Sequence, residues 1–324
     1  LNAVTVNVER VTYADGRTAV RKQLQAPTNE PGPWAASNDP RHWNYWRREL
    51  EVYRDAELRD RLADAGLVLP EAEIDGTTIV MEDIAGTPGT HFSLAEHAAH
   101  TRACGRCQAR PAAQRLWTST GFLRDYSTTR DVPWHLMNDD AAWQQPLVRD
   151  TWPAELRAAW THLLDHRAAL LDLVEALPRA RCHLDFWVSN VIQRPNGDLA
   201  LFDWSFLGDG ALGEDIGNYI PDAVFDLFWP AERMAELADT CITNYLDGLR
   251  EAGWRGDADQ VRLAVMASGV KYAWLLPGLL GRASDATHNA YHRQADSHHL
   301  FHQRGQALLY VANWCAEALT RAVL

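Results

Sequence analysis

The chain has 324 residues and a formal net charge of −12. That length exceeds the size at which one hydrophobic core usually stops growing, so two lobes are expected. The acidic balance argues against a nucleic-acid partner and permits a cationic one. No run approaches the roughly 18 apolar residues of a membrane span, and the start lacks the basic-then-apolar layout of a signal peptide. Five scattered cysteines (Cys104, Cys107, Cys182, Cys241, Cys315) are unlike a disulfide framework, so a reducing cytoplasm is the expected location.

A strand is predicted over 18–24, after the Ala14-Asp15-Gly16-Arg17 turn, with Val20, Lys22 and Leu24 on one face. Lysine is scarce: Lys22 and Lys271 stand against 29 arginines. An ammonium on an apolar face needs a partner; the competing reading is an edge lysine reaching past the face to solvent. A helix is predicted over 42–53, capped by Asn38-Asp39-Pro40. Trp46, Glu49, Leu50 and Tyr53 lie at i, i+3, i+4 and i+7 and form its inward stripe, while Glu51 falls off it. Asp75-Gly76 marks a hairpin turn, followed by a buried strand over 77–81 that leaves the sheet at Glu82-Asp83-Ile84.

His97, His100, Cys104 and Cys107 imitate a zinc pattern, but Ser93-Leu94-Ala95-Glu96 is a capping box and opens a helix. On a helix those four positions form a stripe about 15 Å long, too long for one tetrahedral ion, so core packing is the better reading. The late histidines, 288 to 302, read as a solvated helix and its approach, with no metal. Between 109 and 180 the chain is rich in tryptophan and carboxylates (Trp117, Trp134, Asp139, Asp140, Trp143, Trp152, Trp160). Aromatic platforms for a cationic ligand and ordinary helix packing both fit that composition.

The densest chemistry lies over 183–204. Residues 191–195 and 198–202 read as two short strands joined by Asn196-Gly197, the dipeptide of two-residue hairpin turns. Such a turn pairs positions summing to 393, which sets Asn190 opposite Asp203 with Cβ atoms about 4.5–5.5 Å apart. An amide oxygen and a carboxylate at that separation can share a hard cation such as Mg²⁺. Asp185, on the loop entering the hairpin, is free to act on whatever the metal holds. A hairpin with polar ends and no chemistry is the bland alternative.

His183-x-Asp185-x4-Asn190 followed by Leu201-Phe202-Asp203-Trp204 resembles the catalytic core of the aminoglycoside-phosphotransferase and choline-kinase-like family, small-molecule relatives of protein kinases. The resemblance implies Asp185 as the catalytic aspartate at the acceptor hydroxyl, Asn190 and Asp203 as Mg²⁺ ligands, and His183 as a residue that orients the loop. It implies Lys22 on the nucleotide phosphates with Glu49 as its partner, Glu51 being second choice. The main chain from Glu82 to Ile84 would then meet the adenine edge. Asp215, in Gly213-Glu214-Asp215-Ile216-Gly217, resembles the aspartate that braces the catalytic loop. The chain departs from the protein-kinase pattern in having no G-x-G-x-x-G; any phosphate loop would have to be the stretch 1–7, ahead of a strand over 8–13.

The expected fold is therefore α/β (α+β), bilobal and protein-kinase-like. Residues 1–85 would form a small β-rich nucleotide-binding lobe, and 86–324 a mainly helical lobe with the catalytic loop and acceptor-binding helices. The expected function is Mg²⁺-dependent transfer of the γ-phosphoryl of ATP or GTP to a hydroxyl of a small molecule, such as an antibiotic or metabolite. Kinase action on Ser or Thr of a peptide in natural-product biosynthesis stays open, as does a nucleotide-binding pseudokinase. Lys22, Asp185, Asn190 and Asp203 together argue against the last, and neither a nucleic-acid nor a membrane partner is expected.

Overall fold

The computed structural model describes residues 4–28, 32, 34–111 and 114–322. The chain divides into two compact units, one of 1–122, 179–210 and 243–256, the other of 123–178, 211–242 and 257–324. The first unit therefore carries the N-terminal sheet and the 183–204 hairpin together. A single cut near residue 85 would have separated them.

In the first unit, β1 (Thr5–Thr12), β2 (Thr18–Leu24), β4 (Ala72–Asp75) and β5 (Thr78–Glu82) form an antiparallel sheet in the order β1-β2-β5-β4. On β2, Lys22 and Leu24 are buried while their neighbours Arg21 and Gln23 are exposed, the alternation that a half-buried strand requires. Lys22 stands opposite Ile79 in the register with β5. The stretch 1–7 does not supply a phosphate loop among the described residues. Thr5 to Asn7 already belong to β1 and pair with β2, and 1–3 lie outside the described residues.

A second sheet joins β3 (Leu67–Val68), β6 (Thr87–Pro88), β8 (Val191–Gln193) and β9 (Leu199–Leu201) in the order β3-β9-β8-β6, while β7 (Arg179–Cys182) lies outside it. Its hairpin register differs from the one expected. Val191 pairs with Leu201, Ile192 with Ala200 and Gln193 with Leu199, so the numbers sum to 392. The loop is three residues long, because Pro195 takes the second position of a turn closed by Gly197 N–H to Arg194 O, 2.9 Å. Proline favours that position, and Gly197 (φ 93°) supplies the left-handed residue that follows a type I turn in such loops. Asn190 consequently lies opposite Phe202, whose N–H donates to its carbonyl at 3.0 Å, and Asp203 is one residue beyond.

The helix expected over 42–53 is shorter: α1 runs Arg48–Arg54. A helix through 42–47 would offer the carbonyls of His42 and Trp43 to residues 46 and 47. Both carbonyls accept instead from the Arg48 guanidinium, at 2.7 Å each. The inward stripe nevertheless holds, with Trp46, Glu49, Leu50 and Tyr53 all buried. Helix α2 (Ala56–Ala65) follows, capped by Asp55, and α3 (Leu94–Gln108) opens with the Ser93/Glu96 capping box. His97, His100 and Cys104 sit in its buried stripe and Cys107 at the margin.

The second unit is helical. Its main elements are α4 (Leu156–Asp165), α5 (Arg167–Ala176), α6 (Glu214–Phe225), α7 (Ala258–Ala267) and α8 (Ser297–Ala322). The stretch Ala258–Leu280 is long and apolar enough to cross a membrane by composition, but 83% of it is buried inside the protein, as befits a core segment. Trp143, Trp152 and Trp160 are buried, so packing accounts for them. Asp215 is buried on α6. His288 is also buried, bonded to Ser297 Oγ and Arg282 O, and departs from the solvated reading of the late histidines.

Candidate active site

The first unit brings Lys22, Glu49 and Asp203 to one point. Lys22 Nζ lies 2.6 Å from Glu49 Oε2 and 2.7 Å from Asp203 Oδ1. Each comes from a different kind of element: β2 presents the lysine, α1 the glutamate, and the turn after β9 the aspartate. Burial by itself would lower the ammonium's pKa, but the Asp203 and Glu49 carboxylates outweigh it and hold Lys22 well above its ordinary value. Glu49 is shifted upward because burial disfavours its charge more than Lys22 favours it. For Asp203 the balance reverses: burial opposes ionisation, and Lys22 overrides it, so the carboxyl stays below its usual range. Ser205, two residues on and buried, places its hydroxyl 2.8 Å from Asp203 Oδ1 and 3.3 Å from Glu49 Oε2. The lysine and the serine thus bridge the same two oxygens.

The loop with Asp185 is held by its own main chain. The Asp185 N–H donates to His183 Nδ1 at 3.3 Å, which leaves the proton on Nε2, 3.1 Å from Phe202 O. His183 therefore ties the loop to the strand carrying Asp203. Asn190 is buried and turns its amide nitrogen to Asp185, 3.0 Å from the carbonyl and 3.1 Å from Oδ2. That leaves the Asn190 amide oxygen directed elsewhere, and half-buried Asp185 reachable by a ligand.

These residues fit a divalent metal. Carboxylate and amide oxygens are the hard donors Mg²⁺ takes, and Asp203 already draws a cation, the Lys22 ammonium, to Oδ1. Among the described residues both contacts of the Asp203 carboxylate fall on Oδ1. Direct cross-strand pairing does not relate Asn190 to Asp203 as expected. Asn190 faces Phe202 through a backbone hydrogen bond, and Asp203 is the next residue, with left-handed backbone (φ 60°).

At the expected adenine segment, the Glu82 N–H is already used by Glu71 O at 2.9 Å, which removes it as a donor to a base. The Glu82 side chain pairs with Arg194, and Asp83 with Arg10 at 2.7 Å. Sequence reasoning missed Ser205 and Arg48. A serine after Asp-Trp carries no pattern, and Arg48, inside the helix expected over 42–53, falls off its inward stripe.

The ion-paired lysine, the interior glutamate and the loop aspartate beside an asparagine stand in the arrangement that the resemblance of the sequence implies. The chain belongs to the phosphotransferase enzyme family (APH), whose model matches residues 10–256. No curated protein matches it significantly by sequence. Among solved structures, an amicoumacin kinase in complex with AMP-PNP, Ca²⁺ and Ami is 12% identical, with TM-score 0.52 over 96% of this chain and 86% of that one. An aminoglycoside phosphotransferase from Alicyclobacillus acidocaldarius is 14% identical, with TM-score 0.56 over 100% of this chain and 92% of that one. A choline kinase from Cryptosporidium parvum is 12% identical, with TM-score 0.48 over 98% and 91%. The fold is mixed α+β and protein-kinase-like, with a small N-terminal sheet and a helical C-terminal region.

Proposed function

We propose that this enzyme transfers the γ-phosphoryl group of ATP (or GTP), with Mg²⁺, to a hydroxyl of a small molecule. The observation that carries the reading is the buried Lys22 held between Glu49 and Asp203 at 2.6 and 2.7 Å. A buried ammonium kept charged by two carboxylates is suited to receive phosphate oxygens. Asn190 and Asp203 would hold the metal, which supplies charge neutralisation on the transferring phosphate. Asp185, half-buried on its loop, would align the acceptor hydroxyl and take its proton late. The main chain at Asp83 and Ile84 would meet the base, since the Glu82 N–H is engaged. Catalysis of this kind rests on positioning and electrostatics rather than on covalent chemistry by the protein.

Two relatives of this fold are named for antibiotics, and a net charge of −12 suits a cationic acceptor, so amine-bearing hydroxyl compounds are the first class to screen. The proposed place of action is the cytoplasm, where nucleotide triphosphates are held. The test is a radiolabelled-ATP screen over aminoglycosides, other amine-bearing antibiotics, amino alcohols and sugars, with Asp185→Asn as control. Label transfer by the parent and not by the control is expected. A parent that fails to bind Mg²⁺-nucleotide by calorimetry would overturn the proposal.

A further inference from the structure

Arg48 is fully buried, and its guanidinium, which lies 5.7 Å from the centroid of the Tyr45 ring, gives its described hydrogen bonds to main-chain carbonyls. Nε donates to Trp117 O at 2.9 Å. Nη1 donates to Trp43 O at 2.7 Å and Ser205 O at 3.0 Å. Nη2 donates to Pro40 O at 3.0 Å and His42 O at 2.7 Å. A guanidinium has five N–H groups, and here each has a carbonyl. Burial pushes its pKa down to about 9, against the attraction of Tyr45 and Asp39, and it remains a cation at neutral pH.

Burying an arginine is expensive unless every donor is satisfied. A purely structural requirement could be met by an apolar side chain, but an apolar side chain could not grip three separate pieces of main chain. The pieces are informative. One is the 40–43 loop that leads into α1, and another is Trp117 on a distant loop. The last is Ser205, whose hydroxyl bridges Glu49 and Asp203. Arg48 itself is the residue before Glu49. Its guanidinium therefore connects the start of the glutamate's helix to the segment that carries the aspartate.

We infer that Arg48 is a positioning residue that locks α1 to the 203–205 segment, so that the Lys22–Glu49 pair is assembled before any nucleotide arrives. This rests on the proposed nucleotide role of Lys22. In many-state kinases a helix bearing such a glutamate can swing and break the pair. Here a swing of α1 away from the 203–205 segment would strip the donors to Ser205 O and Trp117 O of their acceptors, each a buried polar group left unmade. Lysine cannot replace the arginine, because three donors on one nitrogen cannot reach carbonyls spread around a planar fork.

The experiment combines two readouts on the full chain. Hydrogen exchange of the α1 amides, taken relative to β5 amides, is measured in the parent with and without Mg²⁺ and AMP-PNP. The relative protection should agree within about twofold; a rise above about tenfold on adding nucleotide would show that the ligand assembles α1, and would overturn the inference. Arg48→Lys should lose relative α1 protection without nucleotide and weaken nucleotide Kd about tenfold or more. Arg48→Ala should show the same loss, reversed in part by millimolar guanidinium, which can enter the vacated space. A soluble Arg48→Lys with parental exchange and a Kd within about twofold of the parent would also overturn it. If Arg48→Ala does not fold, the parent exchange and the lysine variant still decide. Failure of the parent to bind nucleotide would instead strike the proposed function, leaving the nucleotide-free exchange of Arg48→Lys to judge the lock alone.

Discussion

Replacing Lys22 with methionine tests the centre of the site with little change of shape. The side chains of Lys22 and Glu49 are 6% and 2% exposed, so the Lys22–Glu49 arm is an interior ion pair. Removing one member strands the other charge, which typically costs about 3–5 kcal/mol. The Asp203 arm adds little, because that carboxylate is 39% exposed and solvent screens it. At about 2–4 °C per kcal/mol, the variant should melt roughly 6–20 °C below the parent at pH 8. The loss should depend on pH with a definite sign. Glu49 already has a raised pKa from burial, and without Lys22 it rises further. A carboxyl raised in the folded state penalises folding only above its unfolded pKa, so the deficit should shrink at pH 5 and grow towards pH 8. Differential scanning calorimetry at both pH values reads this directly. In a double-mutant cycle, Glu49→Gln should recover part of the loss, since it removes the stranded charge. A drop of the same size at pH 5 and pH 8, or full additivity with Glu49→Gln, would refute the reasoning. So would nucleotide binding at parental affinity.

Asp203→Ala should abolish Mg²⁺-dependent nucleotide binding in calorimetry while lowering the melting temperature less than Lys22→Met, because the ammonium keeps Glu49. Parental nucleotide affinity in a folded variant would remove Asp203 from the metal site. Asp185→Asn should keep nucleotide affinity within a few-fold yet lose about 10²–10⁴ in kcat with the acceptor found by the screen. Turnover close to the parent's would end its assignment as the catalytic aspartate. In the second unit, burial raises Asp222 to about 6 against the opposing pull of Lys271, from an ordinary 3.8. The folded state binds that proton more tightly, so the contribution is fully present below pH 3.8 and is lost as pH rises through 6. Asp222→Asn should therefore be more stable than the parent at pH 8, by up to about 3 kcal/mol, with the gain fading towards pH 4; equal denaturation midpoints at both pH values would contradict this.

How far the site was legible in the sequence depended on whether its geometry is regular. Lys22 could be placed because strand alternation puts it on one face with Val20 and Leu24, where an ammonium is conspicuous in a chain with two lysines. Glu49 could be placed because helical spacing puts it with Trp46, Leu50 and Tyr53, and the stripe survived although α1 starts six residues later than expected. The late start was not legible. It depends on a guanidinium from residue 48 taking the carbonyls of 42 and 43, a tertiary event with no local signature. The hairpin register was a different kind of miss. Asn196-Gly197 drew attention to a two-residue turn, while Pro195 was the stronger signal, because its fixed φ favours the second position of a type I turn. One residue of slip changes which side chains share a face, and the geometric argument that joined Asn190 to Asp203 went with it. In the structure Asn190 faces Phe202, and Asp203 follows on irregular backbone.

That irregularity bears on how the carboxylates are presented. Leu184, just before Asp185, has φ 66°, and Asp203 has φ 60°. Left-handed backbone in residues with a Cβ costs of order 1–3 kcal/mol each and persists only where the surroundings over-determine it. They do so here. Leu184 is buried, and His183 beside it is bonded at both ring nitrogens. Phe202 N–H holds Asn190 O, and Trp204 Nε1 donates to Leu201 O at 2.9 Å, so the backbone on both sides of Asp203 is pinned. In plain extended strands these carboxylates would alternate with their neighbours between the two faces of a sheet. The two left-handed residues break that alternation and bring Asp203 to Lys22 and Asp185 to the Asn190 amide. Relaxing either residue to ordinary φ would sacrifice buried hydrogen bonds on its flank, so the strain is held in place by the same contacts that orient the carboxylates. A site arranged this way has its acidic groups aimed before a ligand binds, which is the condition under which electrostatic stabilisation of phosphoryl transfer needs little reorganisation.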